Sequence, residues 1–220
     1  MTEDFPSLFM LFFAWCGYFA LHSALASLPV KHWVANRLPA LMPAYRLGFN
    51  LLAAALLLPV LWLLYSHPGP ALWSWRGSWA WLANGLALLA VAGFVRTLKT
   101  YDMQEFLGLH QLATHRHAVE EQEGLRISFF HRFVRHPWYF FGLVILWTRD
   151  MNGALLLSAI LITLYLWAGS RLEERKLIVY YGDAYRRYRK RVPALFPLPW
   201  KFLSAGEADA LRSEEGKQSR

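Results

Sequence analysis

The sequence predicts an all-α polytopic membrane protein of about five transmembrane helices, the last two forming a C-terminal hairpin. Three observations carry this. Hydrophobic residues make up 56% of the 220 positions and charged residues 17%, against roughly 45–50% and 25% in ordinary soluble domains. Three apolar stretches are long enough to cross a hydrocarbon core of about 30 Å as helices, and a fourth is interrupted by a turn signal. The eleven Trp, ten Tyr and fifteen Phe suit a chain with two water–lipid interfaces, where amphipathic rings sit at headgroup level.

The spans follow in order. Residues 6–28 form the first. The Met1-Thr2-Glu3-Asp4 start lacks a basic region, and no small-residue cleavage site follows the apolar run, so this stretch reads as a retained span and not a signal peptide. Residues 45–65 and 78–95 form the second and third. Residues 137–169 are apolar except for Thr148-Arg149-Asp150-Met151-Asn152-Gly153. Asn-Gly is a strong turn signal, and these groups in mid-bilayer within one long helix would be costly. A helical hairpin is therefore expected, its second limb continuing past Ser170 into water.

Basic residues orient the chain. Lys31 and Arg37 lie between the first two spans, Arg46 is at the start of the second, and Arg76 alone follows it. Arg96, Lys99, Arg116, Arg126, Arg132 and Arg135 lie between the third span and the hairpin, and the stretch from Arg171 to Lys201 is denser still. The N-terminus is thus expected outside and the C-terminus in the cytosol, across a bacterial cytoplasmic membrane. The net charge of +8 sits between and after apolar segments, so its counter-charge is anionic lipid headgroups in the bilayer and not nucleic acid. A single cysteine, Cys16, excludes an intrachain disulfide framework. Residues 1–204 read as one membrane domain and 205–220 as a disordered polar tail. The composition leaves the oligomeric state open.

Two segments on the basic side concentrate reactive side chains. In Phe129-Phe130-His131-Arg132-Phe133-Val134-Arg135-His136-Pro137-Trp138-Tyr139, Pro137 fits the first turn of a helix and biases His136 towards an extended conformation. The helix start offers free N–H groups to an anion, and Arg135 could clamp a carboxylate. The plainer reading is an interfacial anchor. The second segment starts at Arg171. Its Glu174, Tyr181, Tyr185 and Tyr188 share one face if the helix runs on unbroken, an acid above a phenol ladder that would hold a cationic or heteroaromatic ligand. The competing readings are a basic helix lying on the membrane and a break at Gly182. Together the segments complement S-adenosylmethionine: Arg135 and the helix start for its carboxylate, Glu173 or Glu174 for its ammonium or ribose, the tyrosines for adenine or sulfonium.

Val134-Arg135-His136-Pro137-Trp138-Tyr139, then Glu173-Glu174, Gly182-x-x-Tyr185-x-x-Tyr188 and Arg191-Val192-Pro193 resemble the isoprenylcysteine carboxyl methyltransferase superfamily, over residues 124–197. Upstream, Tyr101-Asp102-x-x-x-Phe106-x-Gly108-Leu109-x-Gln111 and Leu21-His22-Ser23 resemble the branch holding NnrU-type proteins, nurim and bacterial methanethiol S-methyltransferases. The resemblance implies a cytosolic cofactor site and a lipophilic acceptor reached through the membrane. Arg135, His136, Tyr139, Arg171, Glu173, Glu174, Tyr185 and Tyr188 would line that site. Where the superfamily often has Gly-x-Tyr before Arg-His-Pro, this chain has Ser128-Phe129-Phe130, so the loop over the cofactor is expected to differ.

The expected activity is methyl transfer from S-adenosylmethionine to a small or lipophilic thiol. Arg135 and Glu174 would organise the reaction, with His131, His110 or Glu105 as candidate bases, because the thiolate is the nucleophile. The alternatives are a prenylcysteine carboxyl methyltransferase, a non-enzymatic membrane protein of the same fold, and a haem or metal protein. Eight histidines raise the last, but only His22 lies within a span and no facing pair of mid-membrane histidines is evident.

Overall fold

A computed structural model describes residues 4–99, 101–119 and 126–218. Positions 124–125 of the expected ligand-binding stretch and the last two residues of the tail lie outside them. The chain is an all-α polytopic membrane protein. Helices α1 (Asp4–Ala26), α3 (Met42–Ser66) and α4 (Ser78–Leu98) form over the three apolar stretches, and α2 (Leu28–Arg37) follows the first. Two short helices come next, α5 (Met103–Leu107) and α6 (Leu109–Ala113). The expected hairpin is α7 (Pro137–Trp147) and α8 (Gly153–Arg191).

Among the described residues, four helices are long and apolar enough to cross a membrane: α1, α3 (with the turn before it), α4 and α8. With 11 residues, α7 rises about 16 Å at 1.5 Å per residue, roughly half a hydrocarbon core. The count of about five crossings therefore resolves into four long helices and one half-length limb. The apolar part of α8 ends near Ser170, and its remaining turns are polar.

The described chain divides into two compact units. The first comprises residues 1–74, 101–121 and 150–161. In it, β1 (Ala71–Trp73) pairs antiparallel with β2 (Met151–Asn152), tying the loop after α3 to the hairpin turn. Asn152 accepts from the amide of Leu155 at 2.8 Å, so the residue that signals the turn also caps the helix after it. Buried Trp15 of α1 donates to Ser158 of α8 at 2.8 Å, an interhelical bond of the kind that joins helices in lipid. Asp102 caps α5 through the amides of Gln104 and Glu105. Gly108, at φ 89°, lies so close to α3 that a Cβ would meet the amide nitrogen of Leu47 at 2.5 Å. Arg46 and Asn50 of α3 hold the carbonyl of Phe106 at 3.1 and 3.2 Å.

The second unit comprises residues 75–100, 122–149 and 162–220. Ala83, Ala87, Ala90, Gly93 and Thr97 are the buried residues of α4. At Gly93 a Cβ would meet the ring of Phe141 on α7 at 2.4 Å, so α4 and α7 pack at the closeness small residues allow. Beyond α8, residues 205–218 were expected as part of a disordered tail. They form helix α9 (Ala205–Gln218), with Ala208 and Leu211 buried in a cluster of Ile127, Tyr181, Tyr185, Tyr188, Val192 and Leu203. Its apolar contacts are too few to register in a polar composition.

Candidate active site

Pro137 occupies the first turn of α7, and His136 before it is extended at φ −120°, ψ 74°, as the Pro137 ring requires. The amides of Arg135 and His136 donate to the carbonyls of Pro193 and Ala194 at 2.9 and 3.1 Å. The Arg-His-Pro element and the Val-Pro element are thus two edges of one backbone pairing, which explains their presence in one motif set.

Arg135 is buried, and its Nε and Nη2 donate to Glu174 Oε1 at 2.9 and 2.5 Å. Its Nη1 donates to the carbonyls of Arg189, at 2.9 Å, and Val192. Four of the five guanidinium N–H groups are therefore engaged. The bidentate clamp on a ligand carboxylate expected of Arg135 needs two free donors, so in this structure Arg135 is a positioning group that ties Glu174 to the end of α8.

Glu174 is 1% exposed. His136 Nε2 lies 3.3 Å from its Oε1. Burial pushes the Glu174 carboxyl up, but hydrogen bonds from His136 and Arg135 and their charges outweigh it and hold the group below its ordinary value. Its other oxygen, Oε2, is buried with no hydrogen-bond partner, and Arg189 Nε lies 3.8 Å away. Half-exposed Glu173 accepts from the Tyr139 hydroxyl at 3.4 Å and lies 3.5 Å from His136 Nδ1. The rings of His136 and Tyr139 stack at 5.2 Å and 11°. Arg135, His136, Tyr139, Glu173 and Glu174 thus form one cluster at the start of α7.

The other expected site residues have these surroundings. Tyr185 stays within electrostatic reach of the cluster: burial and the Glu174 charge push its hydroxyl up. Gly182, at φ 53° and ψ −127°, kinks α8 after Tyr181, so straight helical projection from Glu174 reaches Tyr181 and does not extend to Tyr185 and Tyr188. Tyr185 and Tyr188, 1% and 3% exposed, pack in the core under α9, and the Tyr188 hydroxyl donates to the carbonyl of His131 at 2.7 Å. Arg171 is exposed, with its guanidinium over Trp167. His131 is buried, shares a 2.7 Å hydrogen bond with Ser128, and is pushed down to about 4 by burial and by His136. At neutral pH it is an uncharged, weakly basic core residue. His110 is exposed on α6, and Glu105 lies 3.5 Å from Arg116, both in the first unit. Among the described residues no three His, Cys, Asp or Glu side chains gather as a metal site. Arg189 was not singled out in advance; its only trace is the basic run at the end of α8.

Residues 50–192, from within α3 to the end of this cluster, match the family described as protein of unknown function (DUF1295). The chain belongs to the DUF1295 family. This DUF1295 chain is 32% identical over 178 residues to methanethiol S-methyltransferase 2 of Bradyrhizobium diazoefficiens, covering 80% of the chain and 68% of that protein. It is 30% identical over 190 residues to the methanethiol S-methyltransferase of a Pseudomonas strain, covering 81% and 68%. The enzyme of that name from Mycobacterium tuberculosis is 31% identical over 192 residues, covering 83% and 75%. These relatives put the DUF1295 chain in the branch its motifs resemble. No solved structure matches it.

Proposed function

We propose that this protein is an integral membrane methyltransferase that transfers the methyl group of S-adenosylmethionine to a small thiol of the methanethiol kind. The observation that carries the reading is the Arg135–Glu174–His136 cluster at the start of α7, in a chain whose curated relatives are named for methanethiol S-methylation.

The residues fit the cofactor's chemistry at three points. Glu174 Oε2, buried and without a hydrogen bond, is an acceptor suited to an ammonium or a ribose hydroxyl. The first-turn amides of α7 after Pro137 are donors suited to a carboxylate. The stacked His136–Tyr139 pair offers an aromatic face. S-adenosylmethionine, when bound, supplies an electrophilic methyl group on sulfur. The chain's own part is to hold the ligand's charges, to keep Glu174 ionised through Arg135, and to admit a thiol from the bilayer. His131 is buried and too weak a base to take the thiol's proton. Basic residues on one side support an N-terminus outside and a cytosolic site in a bacterial cytoplasmic membrane.

Calorimetric titration of S-adenosylmethionine into detergent-purified protein tests the site. Micromolar binding that Glu174→Ala abolishes supports it, and no binding by a folded wild type sinks it. Labelled methyl transfer to a panel of thiols and a prenylcysteine then tests the acceptor. Turnover of the prenylcysteine alone would move the chain to carboxyl methylation.

A further inference from the structure

We propose that the C-terminal helix α9 is the positioning clamp of the candidate site, locking the segment that carries Arg135 and His136 to the kinked end of α8. This rests on reading the cluster as the methyl-donor site, and it concerns residues beyond the family match, which ends at residue 192.

The clamp is built at three levels. A reciprocal pair joins the two segments: the Leu203 amide donates to the carbonyl of Arg132, and Arg132 Nε donates to the carbonyl of Leu203, each at 2.9 Å. Phe133 and Phe202 stack beside them at 6.1 Å. The helix then starts on a capping box, the Ser204 amide donating to Glu207 Oε2 at 2.8 Å and the Glu207 amide to Ser204 Oγ at 3.2 Å. Finally Leu203, Ala208 and Leu211 close over Tyr181, Tyr185 and Tyr188. Tyr188 in turn holds the carbonyl of His131, four residues before Arg135.

The position of the guanidinium therefore depends on residues well beyond it in sequence. Arg135 reads the carbonyls of Arg189 and Val192, and those carbonyls stay in place only if the turn after the Gly182 kink is held. The ion pair of Arg191 with Glu207, at 2.8 Å between exposed groups, adds little energy by itself. The packed leucines and the backbone pair set the geometry.

The test is hydrogen exchange on the detergent-purified full chain, read across residues 130–136, with S-adenosylmethionine titrated into each variant. Leu211→Asp is expected to speed exchange at the Arg135 and His136 amides about tenfold or more and to weaken cofactor binding by a similar factor. Exchange in α1 and α3 should stay as in wild type. Leu211→Met, which keeps volume and apolarity, should restore both readouts. Should Leu211→Asp fail to fold, Glu207→Ala removes the capping carboxylate and should accelerate the same segment to a smaller degree. Unchanged exchange at residues 130–136 in a folded Leu211→Asp or Glu207→Ala protein overturns the clamp. A wild type that takes up no S-adenosylmethionine overturns the donor-site reading instead, and exchange alone then judges α9.

Discussion

Glu174 has two oxygens with different surroundings. Oε1 gathers Arg135 and His136, while Oε2 is buried without a hydrogen bond. Removing one partner of a buried pair leaves the other charge uncompensated, at a cost of about 3–5 kcal/mol. Glu174→Ala should lower thermal stability in detergent by that order. The double variant Arg135→Met/Glu174→Leu should recover most of it without recovering cofactor binding, a separation that a purely structural pair would not show. His131 gives the pH dependence. Its folded-state value of about 4 lies below the ordinary 6.5, so the unfolded chain binds more protons between those limits. Stability is full above pH 6.5 and falls as pH drops towards 4, by up to about 3 kcal/mol. Acid melts of His131→Phe should lack this loss; an identical acid limb would assign it elsewhere. Arg135, His136 and Glu174 were legible in the sequence because charged groups beside apolar helices need partners. The carbonyls of Arg189 and Val192 were not, because every residue carries one and only the fold selects which are used.

The long helices were legible because hydropathy is summed over many residues and tolerates local error. The hairpin turn was legible because Asn152 and Gly153 each have a local reason to be there. The tyrosine ladder was legible only as far as Tyr181: projecting Tyr185 and Tyr188 onto the face of Glu174 assumes a constant rotation per residue, and Gly182 breaks it. A side chain at that left-handed φ costs about 1–3 kcal/mol. Gly182→Ala should therefore destabilise the second unit by that order and weaken binding, although its Cβ would meet nothing within 4 Å. Gly142→Ala, in an ordinary helical position that is equally open, is the control and should be neutral or slightly stabilising. Equal melts for the two variants would remove the kink from the account. Helix α9 escaped the sequence reading because its partner, the buried tyrosine face, exists only after α8 has bent.

For the whole molecule, the distribution of basic residues predicts a C-terminus in the cytosol. Fusing a fluorescent reporter active only in the cytosol after α9 should give signal, and a reporter active only outside should not; the reverse pattern would invert the assignment and move the proposed site to the far face. The reciprocal backbone pair between Arg132 and Leu203 has a consequence for biosynthesis. During translation, α1, α3, α4 and the α7–α8 hairpin all leave the ribosome before Leu203 does. The membrane part can be inserted and paired while the segment around Arg135 still lacks its last neighbour, so the site is completed after insertion. A released chain truncated before Leu203 would keep α1, α3, α4 and the α7–α8 hairpin but lack the pair to Arg132, and on the proposed reading it should not take up S-adenosylmethionine.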